Sequence, residues 1–107
     1  MKTTEVVTSL AALAHETRLE VFRLLVRAGP AGLAAGELSD ALALPAPTLS
    51  FHLKELKAAG LVDAERVGRS RIYRADYPAM RDVLTFLTDE CCAGAAECSP
   101  RARGVPA

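Results

Sequence analysis

The sequence predicts a mainly α-helical domain with one small β-hairpin, an α+β arrangement, and three observations support this. Apolar residues recur at helical spacing over the first 59 residues and again after residue 78. The stretch between these regions reads instead as two short strands separated by a glycine-containing turn. The chain has 107 residues, half of them hydrophobic, which is enough for one domain with its own core.

The first two predicted helices are separated by a break near His15. The second begins near Thr17 and stops at the breaker formed by Gly29 and Pro30. Residues 31–36 are mostly small and predict a connector. The apolar positions that predict the first helix are Val6, Leu10 and Leu13, and those that predict the second are Leu19, Phe22 and Val26.

The next two helices are joined by a very short turn. A third helix is predicted over residues 37–43, with Leu38, Ala41 and Leu42 facing inward. Residues 45–47 read Pro-Ala-Pro and force the turn, and Pro47 suits the first turn of a fourth helix because its missing N–H costs nothing there. That helix is expected to run to residue 59 and to end at Gly60. Two helices joined in this way form a helix-turn-helix.

A hairpin and a fifth helix complete the predicted domain. The strands are expected at residues 61–67 and 71–74, joined by residues 68–70, with an arginine at the tip. The fifth helix follows Tyr77 and Pro78 and should end at Gly94. We assign residues 1–92 to the domain and residues 93–107 to a flexible tail. The apolar positions of the fifth helix are Met80, Val83, Leu84 and Leu87.

The charge of the chain is zero in total but segregated along the sequence. Residues 48–74 contain six bases and three acids, net +3, whereas residues 75–99 contain one base and five acids, net −4. A strongly basic protein that coats nucleic acid is therefore excluded, but one face could still meet phosphate. No apolar run approaches the roughly 20 residues that span a bilayer, and no secretion signal is evident. We expect a cytoplasmic protein without a membrane partner.

A helix-turn-helix followed by a basic hairpin predicts a winged helix, in which the fourth helix enters the major groove of DNA. Placed at 100° steps, Leu49, Leu53 and Leu56 face the core of the domain. The candidate DNA-binding residues are Thr48, Ser50, Phe51, His52 and Lys54 on this helix, with Arg69 and Arg71 on the hairpin. For His52 a second interpretation is open, a partly buried side chain with its hydrogen bonds satisfied in the fold. For the whole basic stretch the alternative is a solvated surface.

Four segments in order carry a resemblance to a known family. They are LAALAHETRL (10–19), TLSFHLKEL (48–56), AGLV (59–62) and GRS (68–70) followed by Tyr73-Arg74. Together they resemble the ArsR/SmtB family of winged-helix, metal- and metalloid-responsive repressors, over about residues 6–87. The resemblance implies a homodimer formed through the first and fifth helices. It also implies that the dimer binds operator DNA and leaves it when an inducer binds.

The sequence departs from the family pattern at two places. Many members use polar residues for base contacts where Pro45, Ala46 and Pro47 stand here, so base reading is expected to shift to Ser50, Phe51, Lys54 and the hairpin. The well-known arsenic sensors have a cysteine pair at the start of the third helix, and the matching positions here are Ala34 and Gly36. That site is absent, so an inducer would have to bind elsewhere.

Three cysteines lie within eight residues near the end of the chain and predict a metalloid site. Cys91 and Cys92 are expected to close the fifth helix, and the small residues that follow would let Cys98 fold back. Three thiolates satisfy As(III) or Sb(III), whereas four-coordinate zinc needs a fourth ligand and no histidine is near in sequence. The Cys-Cys-x5-Cys spacing also resembles one arsenite-responsive subgroup of the family.

The acids around the cysteines favour a neutral ligand over a divalent cation. Asp89, Glu90 and Glu97 disfavour thiolate, which a divalent metal must generate, whereas neutral arsenous acid condenses with thiols and loses water. The alternatives that stay open are a methylated arsenical held by two thiols, a divalent metal, a reversible disulfide between Cys92 and Cys98, and inert thiols.

Two other functional classes are less well supported by the sequence. A thiol enzyme would need a Cys-x-x-Cys motif or a catalytic histidine, which are absent, so we expect no enzyme and no organic cofactor. A protein-interaction adaptor on the same fold would not show salt-dependent DNA binding.

Overall fold

A computed structural model of the protein describes residues 1–94, and its architecture confirms the predicted mainly helical class with a small antiparallel sheet. The predicted tail, apart from residues 93 and 94, lies outside the described residues, as does Cys98. Within residues 1–94 no helix is both long enough and apolar enough to cross a membrane. The elements in order are α1 (Thr3–Leu13), α2 (Glu16–Ala28), β1 (Leu33–Ala34), α3 (Ala35–Leu42), α4 (Ala46–Ala58), β2 (Val62–Val67), β3 (Ser70–Ala75) and α5 (Tyr77–Thr88), with short 3-10 turns at Gly29–Ala31 and Cys91–Gly94.

The junction between α1 and α2 is fixed by side-chain hydrogen bonds to the backbone. His15 is the residue that precedes α2, and its Nδ1 accepts a hydrogen bond of 3.2 Å from the Thr17 N–H. This bond satisfies one of the N–H groups left without a partner at the start of any helix. Arg18 reaches back from α2, and its Nε donates to the Ala12 carbonyl oxygen over 2.8 Å. The two helices are therefore joined rigidly around His15.

The turn between α3 and α4 is short because Ala43 adopts a left-handed conformation with φ of 54°. Ser39 then hydrogen-bonds the Leu44 carbonyl oxygen through its hydroxyl, and the Leu44 N–H donates to the Ser39 carbonyl oxygen over 3.0 Å. Pro45 precedes α4 and Pro47 lies in its first turn, as the sequence predicts. The helix-turn-helix is confirmed.

The sheet has three strands, whereas the sequence predicts a two-stranded hairpin. Its order is β1-β3-β2, and both pairings are antiparallel. The extra strand, β1, occupies part of the predicted connector at residues 31–36, where Leu33 pairs with Tyr73. The hairpin turn is also one residue tighter than predicted. Val67 pairs with Ser70, which leaves only Gly68, with φ of 62°, and Arg69 between the strands.

The segment before β1 is held closely against β3. Gly32 has φ of 68°, and a Cβ at this position would lie 2.5 Å from the Tyr73 carbonyl oxygen, so only glycine fits. Arg74 secures the same region from β3. Its Nε donates to the Pro30 carbonyl oxygen over 2.7 Å, and its Nη1 lies 2.8 Å from the Glu65 carboxylate. This arginine is therefore engaged within the fold.

An aliphatic core lies between the helices and the sheet. The predicted inward positions of α4, namely Leu49, Leu53 and Leu56, are confirmed as buried. Tyr77 joins α5 to α2, since its hydroxyl donates to the Val26 carbonyl oxygen over 2.9 Å. The buried core residues are Val21, Phe22, Leu25, Leu38, Leu49, Leu53, Leu56, Leu61, Val62 and Ala75.

Four leucines that the sequence places on inward faces are exposed. Leu19 belongs to α2, whose buried side is formed by Val21, Phe22 and Leu25 instead. The other three lie on α1 and α5. The buried apolar residue of α1 is Val6, and that of α5 is Val83. The outer helices thus present apolar side chains that this single chain does not cover. The four residues are Leu10, Leu19, Leu84 and Leu87.

The fifth helix ends six residues earlier than predicted, so the cysteine pair does not close it. The last helical residue is Thr88, and Glu90 adopts a positive φ of 53°. Asp89 and Glu90 bring negative charge to the helix C-terminus, where the helix dipole disfavours it. The Thr88 hydroxyl also donates to the Leu84 carbonyl oxygen over 2.9 Å. Cys91 and Cys92 follow in a separate 3-10 turn.

Candidate nucleic-acid interface and cysteine pair

The outward face of α4 combines hydroxyl, aromatic and basic side chains. Thr48, Ser50 and Lys54 are exposed, and Phe51 is exposed to 55%. A large aromatic ring in solvent gains nothing from folding, whereas it can pack on a thymine methyl group. Hydroxyl and ammonium groups are suited to phosphate oxygens and base edges. This face has the chemistry of a major-groove reader.

The hairpin adds a cluster of arginines. Arg69 lies in the turn, and Arg66 pairs with Arg71 across the two strands; all three are exposed. Like charges directly opposite on an antiparallel pair are destabilising, and an anion between them would relieve the repulsion. Arg74, by contrast, is held by Glu65 and the Pro30 carbonyl oxygen. Three of the four hairpin arginines are therefore available to phosphate.

Among the predicted DNA-binding residues, His52 differs in being buried, with 7% of its surface exposed. The interpretation as an interior residue fits this placement, but its hydrogen bonds are not satisfied, since Nδ1 has no partner. The ring lies between His15, at a centroid distance of 4.8 Å, and Phe51, at 5.5 Å. Burial and then the charges of His15 and Arg18 lower the pKa of His52, while Glu55 acts in the opposite direction.

The two described cysteines are close together and accessible. Cys91 and Cys92 are both exposed, and their Sγ atoms lie 3.9 Å apart. Two sulfurs on one tetrahedral zinc ion, each at about 2.3 Å, would be separated by a similar distance, about 3.8 Å. Cys92 is disulfide-bonded in this structure, so the two sulfurs could share an ion only after its reduction. No group of three or more His, Cys, Asp or Glu side chains within residues 1–94 is arranged to hold a metal ion. An ion held by both sulfurs would need its third ligand from outside residues 1–94.

An open groove of about 680 Å³ runs along α5, between this helix, α1 and the two residues that follow α4. The charged residues that line it, Glu5, Asp82 and Asp89, are all acidic. Two of the five acids of residues 75–99, Asp82 and Asp89, therefore share this groove with Glu5 of α1. The groove lies next to the segment that carries Cys91 and Cys92.

Sequence reasoning did not single out two residues that the structure places in these sites. Arg66 becomes a partner of Arg71 because the turn has two residues, and a two-residue turn starting at Gly68 would have predicted that register. His15 becomes the neighbour of His52 because the α1–α2 junction packs on α4. No local pattern in the sequence predicts this packing. Ala34 and Gly36 lie at the end of β1 and in α3, where no thiol is present.

Comparisons with known proteins agree with this architecture. A family model described as a helix-turn-helix domain matches residues 13–65. The transcriptional repressor SmtB of Mycobacterium tuberculosis is 55% identical over 49 residues, which are 45% of this chain and only 36% of that repressor. The regulator YgaV of Escherichia coli is 30% identical over 83 residues, covering 78% of this chain and 82% of YgaV. These relatives are named as regulators of transcription, in agreement with the prediction of a non-enzyme.

Solved structures extend the similarity to the whole fold. An ArsR-like transcriptional regulator from Rhodococcus superposes with a TM-score of 0.70 at 33% identity, covering 78% of this chain and 76% of that one. A homodimeric winged helix-turn-helix DNA-binding domain from Mycobacterium bovis has a TM-score of 0.67 at 27% identity, covering 87% and 86%. With this fold, the exposed face of α4 and the agreement with YgaV and the Rhodococcus regulator over most of their length, the chain belongs to the ArsR/SmtB family of winged helix-turn-helix transcriptional regulators.

Proposed function

We propose that this protein is a homodimeric repressor that binds operator DNA and leaves it when As(III) or Sb(III) binds at Cys91, Cys92 and Cys98. The observation that carries the sensing part is the pair of neighbouring cysteines, whose sulfurs lie 3.9 Å apart in an acidic surrounding directly after α5. Because Cys92 is disulfide-bonded in this structure, the metalloid would bind the reduced form of the protein. The DNA-binding part is supported by the exposed face of α4 and by family membership.

In the proposed complex, α4 of each protomer lies in the major groove. Ser50 and Lys54 contact base edges or phosphates, and Phe51 packs on a thymine methyl group. Thr48 lies at the start of the same exposed surface and is suited to a phosphate contact. The hairpin places Arg69 and Arg71, together with Arg66, near the flanking backbone. His52 is buried behind this surface and does not contact DNA in the proposed complex.

Dimerisation is supported by the apolar side chains on α1 and α5. A contiguous apolar surface in solvent usually marks an interaction site, and a second copy of the same helices would cover it. The Mycobacterium bovis domain with this fold is homodimeric. Two recognition helices could then read half-sites one helical turn apart, about 34 Å, or a multiple of it. The exposed apolar side chains on the two helices are Val7, Leu10, Leu84, Phe86 and Leu87.

The choice of As(III) or Sb(III) over zinc follows from charge and coordination number. Arsenous acid and three thiols form three As–S bonds and break three As–O bonds, and the thiol protons leave in three water molecules. Net charge does not change, so the nearby Asp89 and Glu90 do not oppose the reaction. Zinc would need thiolates and a fourth ligand, and the described residues do not supply one. Cys98 is the remaining thiol of the chain and would complete a three-sulfur site.

Release from DNA would be transmitted through α5. When the three cysteines bind one metalloid, the segment after Thr88 would fold into a closed loop, and this would shift the C-terminal end of α5. Helix α5 also contacts α1. If these helices form the dimer contact, the two copies of α4 lose the spacing that matches the operator. Coupling between such sites is typically about 1–3 kcal/mol, which lowers operator affinity about 5- to 150-fold.

The test is fluorescence anisotropy on the DNA upstream of the gene, with and without arsenite, in a phosphine reductant that does not supply competing thiols. We expect arsenite to release wild-type protein and to leave Cys98→Ser bound. Ser99→Ala is the matched control, because it changes the neighbouring residue without removing a thiol. Methylarsenite, which offers two positions to sulfur, should still release Cys98→Ser.

Three outcomes would contradict the sensing proposal. Release of Cys98→Ser by inorganic arsenite would exclude the three-thiol site. Displacement of bound arsenite by an equal concentration of zinc would exclude the preference argued from charge. Release by a thiol oxidant, together with no response to arsenite under reducing conditions, would identify a redox sensor instead.

A further inference from the structure

The two histidines of the chain meet at the back of α4, and the function described above does not use their chemistry. The sequence contains only His15 and His52, and their ring centroids are 4.8 Å apart. His15 is held in place as the cap of α2, while His52 belongs to α4. Every imidazole in the protein therefore lies at the contact between the α1–α2 junction and the recognition helix.

The surroundings of His52 disfavour a positive charge. Its ring is buried, and the charged or titratable groups that act on it are His15 at the junction, Arg18 on α2 and Glu55 on α4. Arg18 cannot easily turn away, because its Nε is hydrogen-bonded to the Ala12 carbonyl oxygen. Burial first, and then His15 and Arg18, hold the pKa of His52 below its ordinary value of 6.5, and Glu55 opposes this shift.

The hydrogen-bonding state of His52 makes protonation costlier still. Its Nδ1 is buried without a partner. A protonated imidazole donates from both nitrogens, so Nδ1–H would be a buried charged donor with nothing to accept from it. The ring can avoid this only by leaving the interior. Phe51 precedes His52 on α4 and contacts its ring at 5.5 Å, so a movement of His52 disturbs the exposed aromatic residue of the DNA-facing surface.

We propose that the contact between His15 and His52 positions α4 for DNA reading only while His52 is neutral, so that operator binding is lost on acidification. His52 is a positioning residue in this view and does not contact DNA itself. The proposal rests on DNA binding by α4, which belongs to the proposed function. It does not depend on the cysteines or on any inducer.

The direction of the pH dependence follows from proton linkage. A conformation in which the His52 ring has reached solvent binds protons with the ordinary pKa of 6.5, whereas the buried ring binds them less readily. The buried arrangement is therefore fully favoured above about pH 6.5 and is progressively lost as the pH falls below that value. Each protomer of a dimer contributes one such histidine, so the loss of operator affinity should be steep.

The first measurement is operator affinity by anisotropy at pH 7.5, 6.5 and 5.5 and constant ionic strength. Wild-type affinity should fall about fivefold or more over this range, the lower bound of ordinary allosteric coupling. His52→Gln cannot titrate and should give a flatter profile. Parallel profiles for wild type and His52→Gln, or a His52-dependent rise in affinity at low pH, would overturn the proposal.

A second variant guards against a folding defect in His52→Gln. His15→Asn keeps a good helix cap but removes the neighbouring imidazole, so the pKa of His52 should rise and the loss of binding should begin at higher pH. An onset at lower pH, or an unchanged one, would show that the two rings are not coupled.

Proton NMR of the imidazole signals gives a readout that needs no DNA. In the wild-type spectrum the His52 imidazole should titrate below 6.5, and its pKa should move upward in His15→Asn. A His52 that titrates at or above 6.5 would refute the proton-sensitive contact even if operator binding is normal. If the NMR titration is as expected and no DNA is bound at any pH, then the proposed function fails and the role of the contact in DNA reading fails with it.

Discussion

At the scale of single residues, neighbours on α4 have opposite environments. Phe51 is largely in solvent, whereas His52 and Leu53 are buried. The difference arises because successive residues are rotated by 100° around a helix, so one surface packs on the core while the other stays open. Phe51 and Lys54 are exposed, so they contribute little to the core, and in the proposed function they contact DNA.

We expect Phe51→Ala and Lys54→Ala to weaken DNA binding in different ways. Phe51→Ala should cost about 1 kcal/mol per protomer, and the cost should shrink on DNA in which thymine is replaced by uracil, which lacks the methyl group. Lys54→Ala should weaken binding to all sequences and reduce the slope of log affinity against log salt by about 1 per protomer. Both variants should keep their unfolding free energy within about 0.5 kcal/mol.

Anisotropy titrations at several salt concentrations on thymine- and uracil-containing duplexes separate these effects. Each variant serves as the control of the other, since one changes an apolar contact and the other a charge. A reduced salt slope for Phe51→Ala, with equal losses on both duplexes, would show that this ring does not read a base.

At the scale of elements, the accuracy of the sequence prediction depends on how local the determining interactions are. The recognition helix is predicted well, because Pro47, its leucine stripe and Gly60 act within the helix or at its ends. The strand β1 is missed because Leu33 and Ala34 become a strand only by pairing with Tyr73 and Ile72, about 40 residues away in sequence.

The end of α5 is a second place where the sequence prediction is wrong. The sequence predicts that the helix stops at Gly94, but the acidic pair Asp89 and Glu90 ends it earlier, at Thr88. The carboxylates at the helix C-terminus disfavour further helical turns, and the Thr88 hydroxyl binds a backbone carbonyl of the last turn. These local effects end the helix although the predicted helical pattern continues. For the candidate site, exposure of Phe51 and Lys54 could be predicted from angular position alone. The neighbourhood of His52 could not, since it depends on where α2 packs.

The approach of β1 to β3 gives a stability prediction at this scale. Gly32→Ala should destabilise the protein by about 2 kcal/mol or more, because its φ is positive and the new Cβ would meet the Tyr73 backbone. Gly36→Ala is the matched control, since it lies in α3 with open space around it and should gain up to about 1 kcal/mol. Urea unfolding at one protein concentration measures both. Equal midpoints for the two variants would show that β1 does not need the close approach.

At the scale of the whole molecule, the chain separates its charges and leaves its outer helices uncovered. The basic stretch contains α4 and the hairpin, and the acidic stretch contains α5 and the segment with Cys91 and Cys92. Helices α1 and α5 contact each other and expose apolar side chains on their outer surfaces. In the proposed function, sensing and DNA reading would therefore lie at different places, and the proposed dimer contact would be the element that connects them.

Dimerisation can be tested by placing a charge on that outer surface. Leu87 on α5 is exposed to 56%, so Leu87→Glu should leave the single chain folded. In a two-fold symmetric interface the same substitution appears twice, and burying two carboxylates is unfavourable. We expect a monomer by analytical ultracentrifugation and a loss of operator affinity of about 100-fold or more, since binding through two linked sites is lost.

Leu19→Glu is the control for this prediction, because Leu19 is also an exposed leucine, at 43%, but lies on α2. It should remain dimeric and bind the operator with nearly wild-type affinity. If Leu87→Glu stays dimeric while Leu19→Glu dissociates, the contact is formed by α2 and not by the outer helices. Signals from the cysteine segment would then have no direct route to the spacing of the two recognition helices, and release by arsenite would have to act within each protomer.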